Sequence, residues 1–418
     1  MKKGLFFVVV LGCVRLTAMW VNMPPVPMDR LIPYTESVIR QNPDAPEAYY
    51  LLGRLHSLAF AMYTEVGAYL QGGKAPRVDD HTVGHAIRTA TGRLIASDID
   101  HPDRSLANYQ RAVELAPDSA LYHFSLGWMQ EQCSRFAGQL GTRLSAEWID
   151  QALAEYRTAY RLALPVDLKQ PSHLRPYLAE EAGTAIVGIL KQRPGNEKEI
   201  DQIAKVVADL RGRPMAITPL IFSLNSKASL PDLLSDRRVG FDLDGFGAGR
   251  QWPWVRPDTC ILVWDPNRTG RITSGRQLFG SVTWWMFWRN GYEPLDALDD
   301  NRDGVLSGAE LKGIAVWRDA NSNGIADPGE VVPAEDFGIV EIAVKPHRVD
   351  GMLLRDGGIK LRDGTSLTTF DWTPLSAGTD TAFSRRPHPS HEQPPITTPF
   401  SSWRVGPSAR NDILRMDL

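Results

Sequence analysis

Two runs of oxygen-bearing side chains follow each other between residues 299 and 330. Each has an oxygen ligand at positions one, three, five, nine and twelve, a glycine at position six and a usable main-chain carbonyl at position seven. In chain order these residues are Asp299, Asn301, Asp303, Val305, Ser307 and Glu310 in the first loop (299–310), and Asp319, Asn321, Asn323, Ile325, Asp327 and Glu330 in the second loop (319–330). Hard divalent cations bind six to eight oxygens at about 2.3–2.6 Å, and a chain that turns sharply at glycine can supply them. The spacing predicts calcium binding, with an ordinary solvated turn as the alternative.

Two weaker acidic turns precede this pair. In the turn that starts at Asp242, Phe246 replaces an oxygen ligand, and in the turn that starts at Asp265, Arg276 and Gln277 stand where a bidentate glutamate is needed. The loss of a glutamate removes two oxygens and a negative charge from the site, so we expect weak or vestigial binding there. The weak candidate ligands are Asp265, Asn267 and Thr269 in one turn and Asp242 and Asp244 in the other.

Only eight residues separate Glu310 from Asp319. They are long enough for about two helical turns, or ~12 Å, whereas two paired helix–loop–helix units would need two helices in this interval. A calcium sensor moves long helices when it opens. We therefore expect a compact module in which calcium is structural and couples folding to metal binding.

Five stretches in order along the chain resemble a calcium-binding EF-hand-like module of bacterial exported proteins, often found in large secreted or surface chains of the repeat-in-toxin kind. They are FDLDGFG, ILVWDPNRTGRITSGRQLFG, NGYEPLDALDDNRDGVLSG, IAVWRDANSNGIADPGE and FGIVEIAV. In that family the first two turns carry more carboxylates than they do here. The resemblance therefore implies Ca²⁺ mainly at the first and second loops.

The preceding half of the chain contains an internal repeat. Residues 42–53 and 116–127 align without gaps, and both end in a Leu-Gly pair. Small, aromatic and small residues recur at the same spacing: Ser105, Tyr109 and Ala112 in one segment, and Ala152, Tyr156 and Ala159 in another. These features resemble the tetratricopeptide repeat, in which small residues let paired helices approach closely. The resemblance implies a surface that binds a protein or peptide partner.

The fold class expected from these patterns is mainly α: a tetratricopeptide-like helical hairpin solenoid followed by a small EF-hand-like calcium-loop domain with short β-strands. A linker is expected near residues 223–237. The predicted parts are a signal at 1–18, a helical domain at 29–212 with insertions near 66–103 and 134–147, a calcium-binding domain at 238–374 with a C-terminal β segment, and a mostly disordered tail at 376–418.

The N-terminus is typical of an export signal. Two lysines precede an apolar stretch at 4–14, which is shorter than the roughly 20 residues of a membrane-spanning helix. Cys13 ends a sequence that resembles a bacterial lipoprotein box, so lipidation at Cys13, simple signal cleavage and an uncleaved anchor all remain open. We expect the protein in the periplasm, in the cell envelope or outside the cell, where calcium reaches millimolar concentrations.

Charge and motifs narrow the function. A net charge of −3 argues against a general nucleic-acid binder, and no nucleophile–base set, phosphate loop or zinc signature is present. His81 and His85 would share one face of a helix, which leaves an enzyme with a site in the 66–103 insertion as a minor alternative. The favoured prediction is a non-enzymatic, exported calcium-binding protein whose helical repeats bind a protein partner at the cell envelope. A structural or adhesive surface component is the other alternative.

One aromatic cluster has two interpretations. Trp284, Trp285, Phe287 and Trp288 lie within five residues of sequence. The cluster could be an exposed anchor for a membrane or a partner. We favour burial beside the loops, because a small domain needs large side chains to fill its core.

Overall fold

The computed structural model describes residues 24–62, 85–88, 94–97, 101–140, 148–169, 177–214, 216–245 and 250–376. Several predicted features lie outside these ranges: the signal at 1–18 with Cys13, His81, most of the 66–103 insertion, residues 141–147 and the tail after residue 376. Where the structure describes the chain, none of its helices is both long enough and apolar enough to span a bilayer.

Within the described part of the N-terminal half, seven helices follow one another. They are α1 (Met28–Gln41), α2 (Pro46–Met62), α3 (His101–Leu115), α4 (Ala120–Leu140), α5 (Trp148–Lys169), α6 (Leu178–Leu190) and α7 (Glu197–Arg211). Each helix packs against the next one in the chain. The prediction that this half is helical is therefore confirmed.

The aligned glycines mark points where paired helices approach closely. A Cβ atom on Gly53 of α2 would lie 2.8 Å from Cδ1 of Tyr109 in α3, and one on Gly127 of α4 would lie 3.2 Å from Cδ1 of Tyr156 in α5. Gly183 of α6 lies equally close to side chains of α7. The two aligned segments thus occupy equivalent places in two helix pairs, because only a glycine leaves room for the facing ring.

The strands fall into three antiparallel groups. A two-stranded ribbon joins β1 (His85–Arg88) and β2 (Leu94–Ser97), and a second ribbon joins β4 (Leu234–Gly240) and β5 (Gln251–Val255). The other strands are β3 (Leu220–Ser223), β6 (Thr259–Trp264), β7 (Val305–Ser307), β8 (Ile314–Trp317), β9 (Val331–Pro333), β10 (Ile339–Ala343), β11 (His347–Val349), β12 (Met352–Leu361) and β13 (Ser366–Asp371). Among the described residues these nine form one sheet in the order β7-β10-β12-β13-β3-β6-β8-β9, with β11 paired to β12.

The predicted fold class of the C-terminal half is wrong. We expected a small EF-hand-like domain with short strands, and the structure has a large antiparallel sheet whose strand β12 spans ten residues. The segment between the two loops, expected to hold one short shared element, contains strand β8. Every residue of β6 and β8 is buried, and a short, continuously apolar run does not by its periodicity distinguish a buried strand from a helix.

Helices pack directly on this sheet. Alternate residues of β6 enter two different cores: Leu262 lies in a cluster with Leu31 of α1 and Leu58 of α2, whereas Ile261 lies in a cluster with Ala163 of α5. Because successive side chains of a strand point to opposite faces, both faces of the sheet are covered. In chain order the first strand of the sheet is β3, which ends at Ser223, where the predicted linker was expected to begin.

The aromatic cluster is buried, as we favoured. Trp284, Trp285 and Trp288 lie in the core. Trp284, Trp285 and Phe287 have φ values of 53°, 62° and 58°, a left-handed conformation that bulky residues rarely adopt. The Nε atom of Arg54 in α2 donates a hydrogen bond to the carbonyl oxygen of Trp285 at 3.1 Å. This segment is thus held in a strained conformation where the helices meet the sheet.

Candidate metal centre

The first loop connects a short helix to the edge of the sheet. It starts after Tyr292–Asp296 and runs into β7, so that Val305, at position seven, pairs with Ala343 of β10. Gly304 at position six has a φ of 89°, which a residue with a side chain rarely adopts. The backbone therefore turns at the glycine, as the sequence pattern required.

Asp299 stands at position one of the first loop and is buried. Its residue is 3% exposed, and its Oδ2 accepts a hydrogen bond from the amide of Gly304 at 2.9 Å. Its Oδ1 is buried and has no hydrogen-bond partner among the described residues. A buried carboxylate oxygen without a partner is costly, and a cation is the natural compensation.

Glu310, at position twelve, closes the first loop. Its Oε1 accepts hydrogen bonds from the amides of Asp300 at 2.9 Å and Asn301 at 3.2 Å, and its Oε2 accepts one from Ser307 at 3.1 Å. Asp303 receives the side-chain amide of Asn301 at 3.0 Å. The two ends of the loop are therefore held together by one carboxylate and the amides around it.

The second loop repeats the internal hydrogen bonds but leaves its first carboxylate fully satisfied. Asp319 is completely buried. Its Oδ1 accepts from the amide of Asn323 at 3.1 Å, and its Oδ2 accepts from the amide of Gly324 at 2.7 Å. The indole Nε1 of Trp254 in β5 also donates to that Oδ2, at 2.6 Å. Both oxygens of Asp319 thus have donors from the protein.

The remaining acceptors of the second loop are also engaged. Glu330 receives the amides of Ala320 at 2.8 Å and Asp327 at 3.1 Å. Oδ2 of Asp327 accepts the side-chain amides of Asn321 at 2.9 Å and Asn323 at 3.0 Å. In this arrangement the side-chain amides, rather than a cation, compensate the carboxylate of Asp327.

The weak turn at Asp242 and Asp244 is compensated by arginine side chains. Asp244 pairs with Nε of Arg250 at 3.0 Å, and both side chains are almost completely buried. Arg276, which replaces the glutamate of the other turn, lies with its guanidinium carbon 4.0 Å from the ring centroid of Trp285. Burial lowers the pKa of Arg276 to about 10, although Asp242 and Asp244 favour its charged form. Arginine charge therefore compensates the carboxylates of the Asp242 turn.

The carboxylate of the remaining weak turn is satisfied by its own backbone. Oδ1 of Asp265 accepts hydrogen bonds from the amide and the hydroxyl of Thr269, both at 2.9 Å, and Oδ2 accepts the amide of Gly270 at 2.8 Å. All three donors to Asp265 thus come from within the turn. The sequence offered no signal for the parts played by Trp254, Arg250 and Arg276, because each reaches its acidic partner through the fold.

The identification of an EF-hand-like module is wrong. Within the described ranges, no three or more His, Cys, Asp or Glu side chains gather to hold a metal ion, because the loop carboxylates mostly bind backbone amides. The two loops also do not pair: Val305 of the first loop lies in β7 and pairs with β10, whereas Ile325, the corresponding residue of the second, is outside the strands and 59% exposed. The ligand set that still suits a cation consists of the buried Oδ1 of Asp299 and the amide, hydroxyl and carbonyl oxygens of its loop.

Comparisons with known proteins give two partial matches. The chain is 31% identical over 137 residues to the iron-regulated protein FrpA of Neisseria meningitidis serogroup C, a match that covers 30% of this chain and 12% of that relative. Residues 220–373 match the family model of the SPM domain, not that of an EF-hand. This match begins at β3 and ends just after β13. The part of the chain that is similar to the SPM domain is therefore the part that builds the nine-stranded sheet.

Proposed function

We propose that this chain is a non-enzymatic, exported protein in which calcium stabilises the sheet through the first loop, while the helical half binds a protein partner at the cell envelope. The observation that carries the calcium part is the buried Oδ1 of Asp299, which has no partner among the described residues. Extracellular calcium is millimolar, so even a weak site would be filled there.

The first loop has the chemistry that a calcium ion needs. Its side-chain and main-chain oxygens are of the kind that calcium binds, and a bound ion would compensate the buried Oδ1 of Asp299. The residues that would hold the ion are Asp299, Asn301, Asp303, Val305 through its carbonyl, Ser307 and Glu310. Since the amides of the loop already hold Asp299 and Glu310 in place, little ordering cost would accompany binding.

We assign a second, weaker calcium site to the second loop. Its spacing is complete, but the oxygens of Asp319 already have amide and indole donors. A cation there would compete with these hydrogen bonds, and each typically contributes about 1 kcal/mol. We therefore expect the first loop to fill at lower calcium concentrations than the second.

The calcium proposal is tested on the full chain by titration calorimetry and thermal melting. Calcium should raise the melting temperature, because it binds the folded protein in preference to the unfolded chain, and magnesium should do so less. Asp299→Asn should lower the calcium stoichiometry by one. Asp350→Asn, an exposed turn residue remote from both loops in sequence, is the matched control and should titrate like the wild type.

The calcium proposal is wrong if the wild-type melting temperature does not change at millimolar calcium. A rise that persists in Asp299→Asn with unchanged stoichiometry would place the ion elsewhere in the protein.

The partner-binding part rests on the stacked helix pairs. The close contacts at Gly53 and Gly127 are typical of helical hairpins that stack side by side and leave a surface for a ligand chain. A pull-down from envelope extracts with the full chain tests it, and a defined partner identified in replicate experiments is the expected result. The absence of any defined partner would contradict this part.

A structural or adhesive role is the second candidate. One observation favours it: apolar residues of α1 and α2 lie in one core with the sheet, so these helices already use part of their surface within the chain. In that case the protein would adhere to a surface without a defined soluble partner, and the helices would serve as a rigid spacer.

A further inference from the structure

Helix α1 contacts the first loop at both of its ends through one side chain. Arg30 donates Nε to Oδ1 of Asp300 at 3.0 Å, Nη1 to the carbonyl oxygen of Glu310 at 3.4 Å and Nη2 to the carbonyl oxygen of Leu298. The Arg30 side chain is only 15% exposed. A guanidinium is planar and rigid, so these three hydrogen bonds define the relative positions of their acceptors.

Those acceptors lie directly beside the ends of the loop. The carbonyl of Leu298 belongs to the peptide group that supplies the amide of Asp299, the ligand at position one. The carbonyl of Glu310 belongs to the ligand at position twelve. Any change in the separation of the loop ends must therefore move Arg30 or lengthen one of its hydrogen bonds.

A second contact connects the same helix to the loop. Arg302 of the loop donates to the carbonyl oxygen of Tyr34 at 3.4 Å, and its guanidinium carbon lies 5.7 Å from the centroid of the Tyr34 ring. The hydroxyl of Tyr34 donates to Oδ2 of Asp296 at 3.1 Å, just before the loop. Burial, together with the nearby charge of Asp296, raises the pKa of Tyr34 and keeps the hydroxyl a donor.

Apolar contacts continue the same interface. Met28 and Leu31 of α1 belong to the core cluster that also holds Leu298, Leu306 and Leu311, which precede, lie within and follow the loop. The polar and apolar contacts of α1 are thus made to the first loop and the residues directly beside it. This loop is also where we place the calcium ion.

We propose that calcium in the first loop and the docking of α1 are coupled, so that metal binding in the sheet half tightens the attachment of the helical half. This inference rests on the proposed calcium site. By linkage, any factor by which calcium strengthens the docking of α1 is the factor by which docked α1 strengthens calcium binding.

The direction of the coupling follows from geometry. An ion held by Asp299 and Glu310 would bind both ends of the loop at once, as Arg30 does through the carbonyl oxygens of Leu298 and Glu310. Two groups that require the same separation of the loop ends favour each other's binding.

One end of the helix keeps an anchor that does not involve the loop. The indole Nε1 of Trp264 in β6 donates to the carbonyl oxygen of Pro25 at 2.6 Å. We therefore expect calcium to tighten α1 along the turn between Arg30 and Tyr34, and not to release the whole helix.

Hydrogen exchange of the full chain, with calcium and with a chelator, tests the coupling. Amides of α1 should exchange about fivefold or more slowly with calcium, the lower end of typical coupling factors. Amides of α7 serve as the internal reference and should not change. Calorimetry on Arg30→Ala should show calcium binding to the first loop weakened by a similar factor, and Arg30→Lys should lie between it and the wild type, because lysine keeps the charge without the fork.

Arg40→Ala is the matched control, since Arg40 is an exposed arginine on the same helix. It should leave both the exchange of α1 and the calcium affinity unchanged. Wild-type exchange with and without calcium needs no variant, so the test does not depend on whether Arg30→Ala folds.

The outcomes separate this inference from the proposed function. Calcium binding at the first loop with no change in α1 exchange, or an unchanged affinity in a folded Arg30→Ala, overturns the coupling and leaves the calcium proposal standing. A lack of calcium binding overturns both. Slower exchange of α1 that disappears in Asp299→Asn supports the coupling.

Discussion

The first and second loops have the same spacing of ligands but different environments. In the first, Oδ1 of Asp299 is buried without a partner among the described residues, and the loop is attached to α1. In the second, both oxygens of Asp319 have donors, one of them the indole of Trp254 from β5. Two loops that are equivalent in sequence therefore differ in how much they need a cation.

The difference arises from the element that packs on each loop. Beside the second loop, the hydroxyl of Ser322 donates to the carbonyl oxygen of Val255 at 2.9 Å, so the loop is bonded to β5 at two points. Beside the first loop, the neighbour is a helix that donates a guanidinium to the loop ends, and Oδ1 of Asp299 has no partner among the described residues. The neighbouring strand thus supplies a donor to the first carboxylate of its loop, whereas the neighbouring helix does not.

The largest expected effect is on the stability of the second loop. Asp319→Ala leaves three donors without their acceptor, namely the amides of Asn323 and Gly324 and the indole of Trp254, and should cost about 3 kcal/mol with or without calcium. Asp299→Ala removes one hydrogen bond and a costly free oxygen, and should cost about 1 kcal/mol or less in a chelator. Urea unfolding of both variants measures the two costs. Equal losses in a chelator would contradict the difference between the loops.

The next effect concerns calcium-dependent stability. Glu310→Gln should remove most of the calcium-induced stabilisation, which amounts to about 2.7 kcal/mol when free calcium is a hundred times the dissociation constant. Glu330→Gln should remove less, because the second loop is compensated by protein donors. Melting curves at a series of calcium concentrations compare the two variants. A greater loss in Glu330→Gln would reverse our order of the sites.

A smaller effect is expected from Trp254→Phe. The substitution keeps an aromatic ring but removes the indole donor to Asp319, and should cost about 1–2 kcal/mol because a buried carboxylate loses a partner. With one oxygen of Asp319 partly freed, the second loop should bind calcium more tightly. Calorimetry on this variant, with Trp252→Phe as a control in the same strand, measures both the loss of stability and the gain in calcium affinity. Weaker calcium binding would show that the indole supports the site.

The smallest effect is expected at the exposed rim of the second loop. Arg237 donates to the carbonyl oxygen of Asn321 at 2.9 Å but is exposed to solvent. Arg237→Ala should therefore cost about 0.5 kcal/mol or less, in contrast to Arg30→Ala at the partly buried contact of the first loop. Thermal melting compares the two. A larger loss at Arg237 would mean that the second loop also depends on an arginine clamp.

The positions predicted within each loop agree with the local structure. Gly304 and Gly324 both have positive φ values, and Glu310 and Glu330 both close their loops. What failed was the EF-hand-like fold class expected around the loops, where the structure has a large antiparallel sheet. β8 is only four residues long and wholly apolar, and a segment of that length has no periodicity that distinguishes strand from helix.

The sequence alone was sufficient for features that depend on close spacing, such as the alternating oxygens and the turning glycine of both loops. It was not sufficient for features that depend on partners far along the chain. Asp319 meets Trp254 across 65 residues, and Asp300 meets Arg30 across 270. A local sequence pattern indicates which side chains can turn inward. The packing of the sheet and the helices determines which donors reach them. That selection leaves Oδ1 of Asp299 without a partner among the described residues, whereas both oxygens of Asp319 have donors.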